Sequence, residues 1–566
     1  MKKLSFLLPL FIFIYFSSKA QTDLTAIRGI IQQFNADRGS LSRFYVVQNS
    51  PERRERFKKF FIDYKKILGA LPFEKLNTSD KVDFILLNRT LDEQLANIEE
   101  EESEFNQVSK FVPFSSYVYE LEKQRRRGKS QDAQLVATEL NKIYGEVQVL
   151  INSINEGPSL ESKLSEQAIS TIKGLQSALK SVNDFYSGYD PLFTWWVARP
   201  YKQVDSVMNI YAIALQKKSN LHIAQKDDGS GIVGKPIGKD ELTRQLKYEM
   251  IPYGPDELIA IANKEFAWCD REMLKASREM GFGDDWKKAL EKVKTTFVPA
   301  GRQPELIMRL YDESVAFIKS KDLITIPPLA EESWRMVMMS PERQLIAPFF
   351  LGGETLLIAY PTNTMDHDAK MMSLRGNNPH FSRAVVHHEL IAGHGLQAFM
   401  NNRHKTYRNF WTPFWTEGWA LYWEMILWDL KFPTTPEDKV GMLFWRMHRC
   451  ARIIFSLNYH LGNWTPRQCI DFLVDRVGHE RANAEGEVRR SFTGGYGPLY
   501  QLAYMIGALQ FYELKKELVD TGKLTFKQYH DAVMKENNIP IELLRAILTG
   551  NPPKKNFTTT WKFYNR

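Results

Sequence analysis

His388 and His394 stand six residues apart, with Glu389 directly after the first and Gly393 directly before the second. Successive residues of a helix turn by about 100°, so on a regular helix the two imidazoles point roughly 120° apart and sit about 9 Å apart along the axis. Such a helix cannot aim both rings at one point. The segment Val386-His387-His388-Glu389-Leu390-Ile391-Ala392-Gly393-His394 therefore demands a helix that breaks or bulges between the histidines, or else it is a His-rich helix end with no common ligand. Gly393 offers the means of breaking it, because glycine tolerates conformations closed to other residues. Bulges inside helices also gather at functional sites. His387 and His394 share a face but lie two turns apart, so they form no better chelating pair.

Two neutral imidazoles and a carboxylate are the ligand set of a catalytic zinc site, and a Glu right after the first His is where a general base belongs. The pattern is close to His-Glu-x-x-His, in which the imidazoles are four apart and share a face, but it is not that pattern. Glu417, twenty-three residues after His394, offers the carboxylate. Trp411, Trp415, Trp419 and Trp423 recur every four residues around it, which predicts a largely buried helix. Glu424 lies seven residues on, on the same face as Glu417. Buried carboxylates are costly unless they are paired or bind a metal. A pair on one face suits one ligand and one group that orients a ligand. The other reading is an acidic stripe in solvent, opposite the aromatics.

A tetrahedral intermediate needs a donor besides the metal. Tyr496, Tyr500 and Tyr504 recur every four residues. A helix beginning near Pro498 puts Tyr500 and Tyr504 on one face and leaves Tyr496 in the loop before it. Tyr504 is the first candidate for a catalytic hydroxyl and Tyr496 the next, with Tyr500 as a substrate contact. Arg489 and Arg490, just upstream, could grip a peptide carboxylate bidentately. Ordinary amphipathic core and a solvated basic face would give the same spacing. Gly352 to Pro361 reads as a strand ended by proline, whose edge near Ala359 could take substrate backbone by strand addition, or as a short structural strand. Asp366, His367 and Asp368 read as a turn in a polar loop.

Together these residues resemble the bacterial family first catalogued as domain of unknown function 885, regarded as gluzincin-like metallopeptidases. Its pattern is His-Glu-x-x-Pro-Gly-His, then Glu-Gly-Trp-Ala-Leu-Tyr-x-Glu, then an Arg-rich and Tyr-rich helix. Here these are His388 to His394, Glu417 to Glu424, and Arg489 to Gly507. The likeness runs from about residue 25 to the end, with specific motifs only in the last third. Ala392 stands where the family usually has Pro, and Gly395 where a second His is common, so the break would rest on Gly393 alone. The resemblance implies that His388, His394 and Glu417 hold one zinc ion, that Glu389 is the base, and that Glu424 orients a ligand from behind. The tyrosine segment is similar to that of thimet-oligopeptidase-like and angiotensin-converting-enzyme-like peptidases, where tyrosine hydroxyls contact the transition state. The implied fold is mainly α: a two-lobed helical metallopeptidase-like fold with a small β-sheet bordering a central cleft. The implied activity is an exported zinc peptidase acting on peptides or short oligopeptides. A peptide-binding protein without turnover, or a zinc hydrolase of another amide or ester, would use the same residues.

The rest of the chain sets bounds. Residues 1–20 read as a secretory signal: Lys2 and Lys3 form the basic start, Phe6 to Phe16 the apolar stretch, and Ser18-Lys19-Ala20 the cleavage site. That stretch is short for a membrane span, and no later apolar run is long enough, so no integral membrane segment is expected after signal removal. No Cys lies near the cleavage site, which argues against a lipid anchor there. The expected location is the periplasm or the extracellular space. The net charge of +8 is spread among interleaved acids and bases, with no nucleic-acid footprint. Cys269, Cys450 and Cys469 form neither a disulfide framework nor a metal spacing. A chain of 566 residues exceeds one core. Two lobes are expected, a helical one over 21–330 and a catalytic one over 331–566, divided near Ile326-Pro327-Pro328. Helical periodicity over Lys81 to Glu104, Ser130 to Asn155 and Leu160 to Tyr186 points to a mainly α protein. Gly229 to Pro236 imitates a phosphate-binding loop, but Pro236 replaces the hydroxyl that would hold magnesium.

Overall fold

The computed structural model describes residues 26–219, 227–344 and 349–564, so the signal segment expected over 1–20 lies outside the described residues. The protein is mainly α, as its periodicity predicts. The three stretches read from sequence become the helices Thr78–Val108, Ala133–Glu156 and Ser162–Tyr186. Asn77 caps the first, accepting from the amide of Asp80, and Asp132 caps the second. Among the described residues no helix is long and apolar enough to cross a membrane.

Apolar side chains gather into two clusters. The smaller is built by residues between Val47 and Leu215, with most of its members on the helices from Ser115 to Lys218. The larger joins helices near the amino end, from Ile27 to Ile98, to nearly everything after Ile232, including segments on both sides of Pro327. The loop from Asp227 to Gly238 is docked against the carboxyl-terminal half. Asp227 Oδ1 accepts from the amides of Gly229 and Gly231, and Asp228 accepts from the amide of Arg467. Lys235 pairs with Glu166. The imitation phosphate loop is thus occupied by the protein's own contacts.

The described residues contain one small sheet, in which β1 (Arg335–Met338) and β2 (Thr355–Ile358) run parallel with Arg335 opposite Thr355. On its other side β2 is bridged at Leu357 by Leu351. Six helices surround the site: α1 (Pro379–Glu389), α2 (His394–Asn401), α3 (Pro413–Asp429), α4 (Pro436–His460), α5 (Arg481–Thr493) and α6 (Tyr500–Lys515). Three of them start alike. Asn378, Thr412 and Thr435 each accept from a first-turn amide, and a proline follows each cap. Proline there forfeits an amide that had no partner anyway, and its fixed φ suits the first turn. Asp366 is likewise a cap, accepting from Ala369 at 2.7 Å, so the Asp366-His367-Asp368 turn opens a helix.

Two close approaches set how these helices cross. A Cβ on Gly507 of α6 would lie 2.0 Å from the carbonyl oxygen of Phe414 in α3, and one on Gly418 would lie 2.5 Å from the Cα of Gly507. A Cβ on Gly441 of α4 would lie 2.3 Å from the carbonyl oxygen of His380 in α1. Trp415, Trp419 and Trp423 are fully buried on α3, whereas Trp411 precedes the helix and is exposed.

Candidate metal centre

The helix carrying His388 breaks where the six-residue spacing requires. α1 ends at Glu389, Leu390 (φ −109°, ψ −109°) and Gly393 (φ −84°, ψ −130°) leave the helical region, and α2 restarts at His394. The Ile391–Ala392 peptide is cis. The break is closed by hydrogen bonds. The amide of Gly393 donates to His387 O at 3.0 Å and that of Leu396 to Leu390 O at 3.2 Å. From α3, Trp419 Nε1 donates to Ala392 O at 2.7 Å. Gly393 does not reach a positive φ. Glycine is needed there for room, since a Cβ would lie 1.8 Å from the carbonyl oxygen of His388.

The break turns the two rings toward each other, with centroids 4.9 Å apart and planes at 88°. His388 Nε2 is 3.6 Å, and His394 Nε2 3.2 Å, from Glu417 Oε2. Ligand atoms of all three residues lie within 4.8 Å of one another, so the group could hold a metal ion. Each far nitrogen is engaged. His388 Nδ1 meets Glu424 Oε1 at 2.7 Å and His394 Nδ1 meets Gln397 Oε1 at 3.1 Å. In the neutral ring, Nδ1–H donation to these acceptors leaves Nε2 as the lone-pair side. Glu424 is held in turn by Arg449 Nη2 at 3.3 Å, and Gln397 donates to Trp415 O at 3.3 Å.

The donor set fits a cation on a second count. Glu417 Oε1 accepts from the hydroxyl of Tyr500, but Oε2 is sealed from solvent and accepts no directed hydrogen bond among the described residues. A buried carboxylate oxygen with no donor, facing two imidazole nitrogens, could be completed by a positive ion. Without an ion, a proton on His394 answers the Glu417 carboxylate. Burial pushes His394 down, but the carboxylate of Glu417 beside it prevails, and the pKa is pushed up to about 9. Burial likewise opposes the charge on Glu417, yet the two histidines hold it well below the ordinary carboxylate range. His387 is different. Burial pushes it down to about 4, so it is a neutral core ring against Phe432.

The other residues read from the sequence fall as follows. Glu389, the last residue of α1, lies under the loop leading into β2. The amide of Gly353 donates to its carbonyl at 3.3 Å, and a Cβ on Gly352 would come within 2.5 Å of Glu389 Oε2. The ring of Tyr504 stacks on His388 at 6.1 Å, and the guanidinium groups of Arg449 and Arg452 cover it at 4.6 and 4.3 Å. Burial raises its pKa above the usual phenol value, so it is a neutral hydroxyl. Tyr496 sits in the loop before α6, its ring 4.5 Å from that of Tyr500, and Arg490 covers Tyr496 at 4.7 Å. Arg489 turns elsewhere and donates to Gly231 O at 3.0 Å. Ala359 is buried just beyond β2.

Three contributors carry weaker sequence signals. Gln397 lies one helical turn after His394, a spacing that places it beside the ring. Arg449 and Arg452 recur at three-residue spacing with Arg446 among the apolar residues of α4, which marks them as buried charges with partners. Gly418 and Gly507 gave no signal, because what they do depends on how two distant helices cross.

A buried pair of imidazoles and a carboxylate that could hold a metal ion, backed by Glu424 and Gln397 and framed by tyrosines, sits among the helices of a mainly α protein. The chain belongs to the DUF885 family, described as bacterial protein of unknown function, whose profile matches residues 45–548. No curated protein matches it. Two solved structures share the fold at 16% identity, each reported as a "putative lipoprotein". The one from Shewanella oneidensis, of unknown function, has a TM-score of 0.66 and covers 93% of this chain and 100% of its own. The one from Colwellia psychrerythraea has a TM-score of 0.56 and covers 92% and 98%.

Proposed function

We propose that the protein is an exported zinc peptidase of the gluzincin kind, hydrolysing peptides or short oligopeptides. The observation that carries this reading is the sealed Glu417 Oε2 facing His388 Nε2 and His394 Nε2, with Glu389 next in sequence to the first ligand. His388, His394 and Glu417 would hold the ion. When bound, a zinc ion polarises a carbonyl and acidifies water. Export is supported by the signal-like residues 1–20 and by the lipoprotein description of both structural relatives.

The chain's own groups do the rest. Glu389 takes a proton from the attacking water as its oxygen bonds to the scissile carbonyl carbon, and returns that proton to the amine nitrogen as the C–N bond breaks. Tyr504, a neutral hydroxyl under two guanidinium groups, donates to the oxygen that gains charge, with Tyr496 as the second candidate donor. Tyr500 fixes the Glu417 carboxylate through Oε1 and lines the substrate's path. Glu424 and Gln397 hold the ligand rings in one tautomer.

The test is turnover of a peptide library by the zinc-loaded protein, with Glu389→Gln beside it. The reading requires cleavage by the wild type and loss of it in the variant, with zinc still bound. Equal cleavage by both would remove Glu389 from its role, and no cleavage by the wild type would remove the peptidase.

A further inference from the structure

We infer that Arg490 receives the free terminal carboxylate of the substrate, so that the activity works from the carboxyl end of short peptides. This rests on the peptidase reading and names its substrate class.

Arg449, Arg452 and Arg490 are all buried around the tyrosines of the site. Two carboxylates answer these three cations. Glu424 takes Arg449 at 3.3 Å, and Glu487 takes Arg452 Nε at 2.7 Å. His448 and His479, beside Glu487, are hydrogen-bonded to each other at 2.8 Å and add no charge, because burial and the arginines push both far down. One guanidinium is therefore in excess.

Arg490 is the one without a hydrogen-bonded carboxylate, its ion pair with Glu487 being the long one. Its side chain is 7% exposed, and its closest carboxylate oxygen, Glu487 Oε2, is 3.8 Å away. Among the described residues no acceptor takes a hydrogen bond from it, and its Nε is sealed from solvent. Burying a charge without hydrogen-bonded partners is costly, and an anionic ligand would offset that cost. The flat fork of a guanidinium matches a carboxylate with two parallel bonds.

Position gives the direction. Arg490 lies on the ring of Tyr496 at 4.7 Å, that ring lies 4.5 Å from Tyr500, and the Tyr500 hydroxyl is on the proposed metal ligand Glu417. An extended residue spans about 3.3–3.6 Å, so a carboxylate on Arg490 leaves room for only a few residues before the reacting bond. A bond deep inside a long chain brings no such anion.

The experiment compares three N-acetylated pentapeptides of one sequence: a free acid, its carboxyl-terminal amide, and an amide with Glu in the last position. Binding is measured by calorimetry on zinc-loaded Glu389→Gln protein, and cleavage by mass spectrometry on the wild type. The free acid should bind roughly tenfold or more tighter than either amide, the scale of one charge-assisted pair, and be cut within its last few residues. Arg490→Gln should bring acid and amide together, and Arg490→Lys should restore part of the difference. The acid-against-amide comparison needs no variant, so a poorly folding substitution leaves it intact. Equal binding of acid and amide, or no binding at all, overturns the inference. A Glu-amide that binds like the acid moves the site to an acidic side chain and overturns the terminal assignment. If the acid binds selectively but nothing is cleaved, the peptidase reading falls while the carboxylate site stands.

Discussion

Gly418 of α3 and Gly507 of α6 meet backbone to backbone, with 2.5 Å between a Cβ built on the first and the Cα of the second. This contact brings the tyrosines of α6 onto Glu417. Gly507→Ala would place a methyl 2.0 Å from Phe414 O and force the helices apart. We expect a loss of about 1–3 kcal/mol in stability, the range for overpacking a tight contact, and a weaker metal site with it. Denaturant unfolding and a metal titration on the same variant check both.

Glu424 orients His388 without touching the metal position. Glu424→Gln should lower metal affinity by about 10–100-fold, the usual cost of losing such a partner, and should leave the fold unchanged. Competition against a chromophoric chelator measures it, and unchanged affinity would mean that the His388–Glu424 bond has no bearing on the ion.

Tyr504→Phe removes the hydroxyl proposed to meet the developing charge. The expected loss is about 10²–10³ in kcat, as for one oxyanion donor, with metal content retained. Steady-state kinetics with metal analysis separate this from a damaged ligand set.

Burial alone pushes His460 down from 6.5 to about 4, and neither of its ring nitrogens has a partner among the described residues. Its pKa is lower in the folded than in the unfolded chain. The unfolded chain therefore binds the extra proton first as the pH falls. The stability that the neutral ring allows is present above pH 6.5 and is lost as the pH drops toward 4. The slope is about 1.4 kcal/mol per pH unit for this group. His460→Phe should flatten the decline of melting temperature across that window by this one group's share. Parallel declines for wild type and variant would refute it.

Much of the site was legible in the chain. The six-residue spacing of His388 and His394 left either a broken helix or a His-rich helix end with no common ligand, and the Glu417 to Glu424 interval placed a second carboxylate on the same face. Tyr496, Tyr500 and Tyr504 were readable as loop and helix from Pro498 onward. Local rules sufficed there because each feature spans a few residues. Arg490 was readable as a carboxylate contact, but its lack of a hydrogen-bonded partner was not, because its neighbours come from α4, α5 and the loop before α6. Nor was the turning away of Arg489, whose acceptor Gly231 lies in a distant loop. Gly393 was marked for its conformational freedom, whereas the close carbonyl of His388 is what excludes a side chain.

We propose that His388, His394 and Glu417 converge on one divalent ion. X-ray absorption at the zinc edge, on protein purified and reloaded with one equivalent of zinc, tests it most directly. Two imidazole nitrogens and carboxylate oxygen are expected at about 2.0–2.2 Å, with one nitrogen shell lost in His394→Ala. A spectrum without imidazole scattering, or one identical in the wild type and His394→Ala, would contradict it.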